Sequence, residues 1–247
     1  MLSIEKIVVE QCNNSKYIRP FRLSYVQDGK SKLWDLMKSH DSVAIIIHHI
    51  ERRSLLFVRQ FRPAVYFNRV YAGGEQEVPP VGTAIDGDPR LGLTVELCAG
   101  IVDKEKPLAE IAAEEVQEEC GFNVSASDLE RVSTFRTGVG TTGSMQTIFY
   151  AKVTEAMRLS KGGGNPAEGE YIETVEVPIS QLYDFILDES IPKPTGCAFG
   201  VSWFLKEKLR PSFVEVMRQN YLQIAVVSSG ISLFAMLTAV GICSLRK

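Results

Sequence analysis

Apolar positions along this chain fall into two periods, and the alternation between them sets out the fold. Residues 42–48, Ser-Val-Ala-Ile-Ile-Ile-His, are almost continuously apolar, the mark of a buried strand. The turn Glu51-Arg-Arg-Ser54 leads to a second strand at 55–61, and further strands are predicted at 94–100, 129–136, 147–153 and 174–178. Upstream, 17–26 alternate loosely, Gln27-Asp-Gly-Lys30 is a turn and 32–37 return, which predicts a hairpin with Asp-Gly at its tip. The period changes at Leu108, Ile111, Ala112 and Val116, which recur at helical spacing. Pro107 suits the first turn of that helix and Gly121 its end. Closing helices are predicted from Ser180 and over 195–209. Two stretches have no period. The Gly/Pro-rich residues 67–92 read as a lid or a disordered excursion, and Lys161-Gly-Gly-Gly-Asn-Pro166 as a mobile loop.

One apolar stretch is of another kind. Residues 221–245 carry no charge, and a bilayer span needs roughly 20 apolar residues. Arg218 precedes it and Arg246-Lys247 follow it. The amino terminus, Met-Leu-Ser-Ile-Glu-Lys, has no apolar core of a signal peptide. The expectation is a transmembrane helix at 221–243, anchoring a cytoplasmic domain to an intracellular membrane. A buried terminal or dimerisation helix is the alternative.

Composition narrows the chemistry. At 247 residues the chain fits one domain with a small appendage. A net charge of −3 suggests no nucleic-acid-binding surface. Five scattered cysteines without a CxxC pair argue for a reducing compartment and against a zinc site. His48 and His49 close an apolar strand and read as structural. The acidic residues are more informative. Glu115, Glu118 and Glu119 project from one side of the predicted helix, since residues three and four apart are neighbours there. Three adjacent carboxylates repel, and Mg²⁺ or Mn²⁺ would relieve that repulsion. Acidic helical runs are more often solvated faces, so spacing has to decide.

Gly100, then Glu115-Val-x-Glu118-Glu119-x-Gly121-Phe122, resembles the Nudix box, GX5EX7REUXEEXGU, with U bulky aliphatic or aromatic. Two positions depart from it. Lys106 stands where that family has a glutamate, and Glu114 where it has arginine. The changes are opposite in sign, so a swapped Lys106–Glu114 contact is expected. Further segments are similar to the UDP-glucose pyrophosphatase subfamily: Trp34-Asp-x-Met-Lys38, His40-Asp-Ser-Val43, Gln60-Phe-Arg-Pro63, the loop Thr137–Gln146 with Gly-Val-Gly and Thr-Gly-Ser, and Phe199-Gly-Val-Ser-Trp-Phe204. The likeness runs from about Ile4 to Leu205.

The C-terminal hydrophobic helix, read from the uncharged stretch, departs from that subfamily. The resemblance implies a Nudix α/β/α sandwich with a mixed sheet, preceded by the N-terminal β-hairpin. Its parts would be residues 1–40, with hairpin contacts in a homodimer, a hydrolase domain at 41–210, and 211–247. It implies Mg²⁺ held by Glu115, Glu118, Glu119 and the carbonyl of Ala99. It implies Arg62 on the anionic substrate, since a guanidinium suits bidentate phosphate contact. Glu96 would be a substrate or metal-site carboxylate, although Cys98 replaces the proline of the family's strand entry. Gly140 and Gly143 would let backbone N–H groups approach the ligand. A glutamate just before the strand at 174–178 would be the base activating water, with Glu168 ahead of Glu170. The implied reaction is hydrolysis of UDP-glucose to UMP and glucose 1-phosphate, with ADP-ribose as a second substrate. The alternatives are ADP-ribose as the main substrate, or a non-catalytic membrane-tethered module that binds nucleotide sugars.

Overall fold

The computed structural model describes residues 4–15, 18–71 and 79–209. The chain divides into two compact units, Met1–Ser202 and Trp203–Lys247. Of the second, only the end of the last helix and the two residues after it are described. The stretch expected to span a membrane, 221–243, lies outside the described residues; among those described, no helix is long and apolar enough to cross one.

The elements follow in order: β1 (Arg19–Gln27), β2 (Lys30–Lys38), β3 (Ser42–His49), β4 (Ser54–Phe61), α1 (Pro63–Val70), β5 (Leu93–Glu96), β6 (Cys98–Ile101), α2 (Leu108–Cys120), β7 (Glu130–Arg136), β8 (Met145–Val153), β9 (Glu173–Pro178), α3 (Leu182–Leu187) and α4 (Thr195–Glu207). β1 and β2 pair as the expected hairpin, with Asp28 and Gly29 at positive φ in its turn. The other seven strands form a mixed sheet in which β3 and β8 run parallel and the remaining pairs run antiparallel.

The middle of this sheet is the feature that builds the site. β3 and β4 pair only beside their shared turn, from Ile47↔Leu56 to His49↔Ser54. Beyond it they part, and β5 and β6 fill the gap. β5 pairs with β4 (Val58↔Glu96) and β6 pairs with β3 (Val43↔Gly100). The box strand is thereby held on both sides by the most buried strands of the protein. Alternate residues of β3 then face two layers. Val43, Ile45 and Ile47 join Leu56, Val58, Phe149 and the α2 residues Ile111, Ala112 and Val116 in one buried cluster. On the other face, Phe57 meets Phe185 of α3 at 4.8 Å between ring centres. A side chain at Gly200 of α4 would touch Ile46 at 3.1 Å.

Three expectations are corrected. The single strand expected at 94–100 is two, β5 and β6, which pair with β4 and β3 respectively. Residues 67–92 are not uniformly irregular: α1 runs into the stretch, and Pro89–Gly92 form a 3-10 turn whose Asp88 side chain accepts from the Arg90 N–H. Pro63 starts α1 because its fixed φ suits a first turn. Only Tyr66 of that helix is buried, so its apolar period is too faint to read. Residues 72–78 of the insertion lie outside the described residues. Pro107 caps α2 rather than occupying its first turn. Of the two histidines read as structural, His48 Nδ1 lies 2.9 Å from the Tyr150 hydroxyl. His49 is fully buried, its Nδ1 accepting from the Arg52 N–H and its Nε2 3.3 Å from Glu155.

Candidate active site

α2 lies across β6, and two close approaches fix it there. The backbone N–H of Ala99 donates to Glu119 Oε2 at 2.9 Å. One residue on, Gly100 leaves room for the Glu115 side chain, whose carboxylate any Cβ at that position would overlap. The box therefore needs glycine at 100 for space. It needs glycine at 121 for conformation, because Gly121 ends α2 in the left-handed region at φ 78°. Glu118, on the same turn, faces solvent.

These carboxylates are held where charge is unwelcome. Burial pushes Glu119 up to about 8, against the pull of the Ala99 N–H and the Cys98 thiol, and Glu115 and Glu170 push it the same way. Glu115 rises to about 7, through burial first, then through Glu118 and Glu170. Glu170, from the loop before β9, thus acts on both box glutamates. It acts on Arg62 as well. That guanidinium is held more firmly protonated, chiefly by its hydrogen bonds to Glu96 and further by the charges of Glu119 and Glu170.

Arg62 stands where β4 gives way to α1, in extended conformation at the helix cap, and its N–H donates to Gly92. Its side chain meets Glu96 in a bidentate pair, Nε to Oε1 and Nη2 to Oε2, both 2.8 Å. Thr94 Oγ1 donates to the same Glu96 oxygen. Burial opposes the charge on Glu96, but Arg62 and Thr94 together keep its carboxyl below the usual range. Both Glu96 oxygens are engaged by Arg62, so this glutamate aims the guanidinium, and the Arg62 side chain remains 45% exposed.

The expected Gly-rich loop lies elsewhere in the network. The Gly140 carbonyl accepts from Trp34 Nε1 at 2.9 Å, and the Thr141 carbonyl from the Met37 N–H at 2.8 Å. The Gly143 carbonyl accepts from Arg136. Among the described residues no hydrogen bond joins Gly140 or Gly143 to the carboxylates. The hairpin's hold on this loop left no sequence signal, because a tryptophan on a half-exposed strand is more simply a packing residue. The side chain of Glu168 is not described; its backbone ends a 3-10 turn, Pro166–Glu168.

Among the described residues no three His, Cys, Asp or Glu side chains already converge on one point. Glu119 turns to the Ala99 N–H, and Glu115 lies over Gly100. The donor chemistry nevertheless fits a hard divalent cation. The ligands on offer are carboxylate oxygens on one helical turn, and burial, with mutual repulsion behind it, makes two of them hold their protons more tightly, protons that an ion would displace. The swapped box contact is present: Lys106 bonds to Glu114 Oε1, and Lys104 joins it at 3.1 Å on Oε2.

No family model matches the chain. Among curated proteins it is similar to the uridine diphosphate glucose pyrophosphatase of Bos taurus, 46% identical over 213 residues, 83% of this chain and 95% of the relative. The corresponding protein of Mus musculus is 44% identical, over 84% of this chain and 96% of its own length. A GDP-mannose pyrophosphatase of Cronobacter sakazakii is 30% identical over 144 residues, 58% of this chain and 63% of the relative.

Two outcomes follow from this geometry. Lys106→Glu places like charges together at the head of α2 and lowers the melting temperature slightly. Adding Glu114→Arg restores it; equal melting of the single variant and the parent would contradict the contact. The second concerns pH. Glu115 and Glu119 bind their protons more tightly folded than unfolded, so the stability they contribute is complete below about 4.5 and is lost as pH rises through 7 and 8. Thermal melts with a chelator should therefore fall across that window, and excess Mg²⁺ should reverse the fall most at its alkaline end. Parallel curves with and without Mg²⁺ would contradict it.

Proposed function

The chain belongs to the Nudix hydrolases, alongside the uridine diphosphate glucose pyrophosphatases, and from this we infer that it hydrolyses the diphosphate of nucleotide sugars. UDP-glucose and water give UMP and glucose 1-phosphate. One observation supports this beyond the likeness. Glu115, Glu119, Glu170 and Arg62 share one electrostatic neighbourhood, although they come from α2, the β9 loop and the end of β4.

Glu115, Glu118 and Glu119, with the Ala99 carbonyl, would hold Mg²⁺ or Mn²⁺. Bound there, the ion supplies positive charge that screens the diphosphate and its leaving group. Arg62, aimed by Glu96, binds the phosphate oxygens. Glu170 takes a proton from water as the water oxygen attacks one phosphorus. The bond from that phosphorus to the bridging oxygen breaks, and the bridging oxygen leaves with the other phosphate. Of the two glutamates expected before β9, Glu170 is taken as the base here: its charge acts on Glu115 and Glu119, while the side chain of Glu168 lies outside the described residues. Gly140 and Gly143, in a loop tied to the hairpin, would line the side where the substrate's nucleoside or sugar rests.

The hairpin exposes Phe21, Leu23, Leu33 and Trp34, which supports its use in a homodimer. The lack of charge over 221–245 supports a membrane anchor for a catalytic domain on the cytoplasmic side. ADP-ribose is the second substrate to test, and the bacterial relatives add GDP-mannose.

A panel of UDP-glucose, ADP-ribose and GDP-mannose with Mg²⁺, read by phosphate released after phosphatase treatment, should show UDP-glucose with the highest kcat/KM. Glu170→Gln should lose roughly a hundredfold or more in kcat, the usual worth of a general base. Inactivity on all three substrates would refute the enzyme, and full activity of Glu170→Gln would refute the base.

A further inference from the structure

The Gly-Gly-Gly run at 162–164 reads by composition as a free loop, yet the structure gives it a fixed partner. A helix leaves carbonyls without intrahelical partners at its C-terminal end. In α2 those carbonyls belong to the turn that carries the box glutamates. The Gly163 N–H donates to the Glu119 carbonyl at 3.0 Å and the Gly164 N–H to the Glu118 carbonyl at 3.1 Å. Just upstream, the N–H groups of Leu159 and Ser160 both donate to the Gly121 carbonyl, at 2.8 and 3.2 Å. The loop then closes on itself. Ile172 N–H donates to the Gly163 carbonyl, Glu170 N–H to the Asn165 carbonyl, and Asn165 N–H to Glu170 Oε2.

Only glycine allows this path. All three residues have positive φ, 69°, 122° and 80°. A side chain at 162 would overlap the Glu119 carbonyl. A side chain at 164 would meet the Cβ of Glu170 at 3.0 Å and Ile172 Cδ1 at 3.2 Å. Gly164 thus donates to the Glu118 carbonyl, and Glu170 Cβ borders the space that a side chain at 164 would need.

We propose that Gly162, Gly163 and Gly164 are positioning residues, which set Glu170 against the carboxylate turn of α2 by clasping the end of that helix. The proposal rests on Glu170 as the base. Proton abstraction depends on placement at the scale of an ångström, where misplacement costs large factors in rate. The clasp makes the distance from Glu170 to the box glutamates a property of one short backbone path.

The test is a cycle in the full chain. Gly164→Ala and Gly162→Ala are made alone and in Glu170→Gln, with kcat and KM for UDP-glucose at saturating Mg²⁺ and thermal melting of each. In the parent background kcat should fall on the order of tenfold or more, with KM close to the parent; the strain at positive φ lowers the melting temperature, by the same amount in both backgrounds. In Glu170→Gln the glycine variants should cost no further kcat, because the group they position is already gone. Gly164→Ala adds contact with two side chains rather than backbone, so it carries the test if Gly162→Ala does not fold. Equal losses in both backgrounds, a rise in KM at constant kcat, or no loss at all would overturn the clasp. Full kcat in Glu170→Gln alone would overturn the base assignment and the proposal with it.

Discussion

The structure turns on the contact between the last turn of α2 and β6. The Ala99 N–H reaches Glu119, and Gly100 makes room for Glu115. The contact exists because β3 and β4 separate beyond their turn and admit the box strand between them. It is held by Ile111, Ala112 and Val116, which press α2 onto Val43, Ile45 and Val58. The apolar packing works against the carboxylates on the same helix. Keeping Glu119 near 8 rather than 4.5 corresponds to roughly 4–5 kcal/mol of preference for its neutral form. Without a cation the site resists its own ionisation. That resistance is the thermodynamic reason the turn would favour a divalent ion.

Around this contact the protein places its other charges by rigid means. Arg62 is aimed by a bidentate carboxylate that is itself steadied by Thr94. Glu170 is carried by a loop that hydrogen-bonds to the end of α2. The Gly-rich loop is held by the hairpin through Trp34 and Met37. Each device uses backbone or paired charge rather than long flexible side chains, so little ordering is left for the moment of substrate binding.

Much of this was legible in the sequence. The hairpin, α2 and the other strands are legible because their apolar periods are strong, whereas the break at Leu97 that divides 94–100 into β5 and β6 leaves no mark in that period. The box announced itself because its chemistry demands fixed spacing, and the opposed changes at Lys106 and Glu114 foretold their own contact. Lys104 as a third member was not foretold, since one more lysine in a charged loop is unremarkable. α1 was missed because a helix burying only Tyr66 has almost no period. The role of Glu96 in aiming Arg62 needed coordinates, because a strand glutamate looks the same whether it faces a ligand or an arginine. The Gly162–Gly164 run was misread for a physical reason. Glycine is equally suited to freedom and to close approach, and composition cannot separate the two.

By this geometry the space left at Gly100 would shape the cation site at the α2–β6 contact. The direct measurement is equilibrium Mn²⁺ binding, followed by electron paramagnetic resonance, to the parent and to Gly100→Ala. Binding should be at least tenfold weaker in a variant that keeps its secondary structure, because the added methyl must displace Glu115. Unchanged Mn²⁺ affinity in a folded Gly100→Ala protein would contradict it.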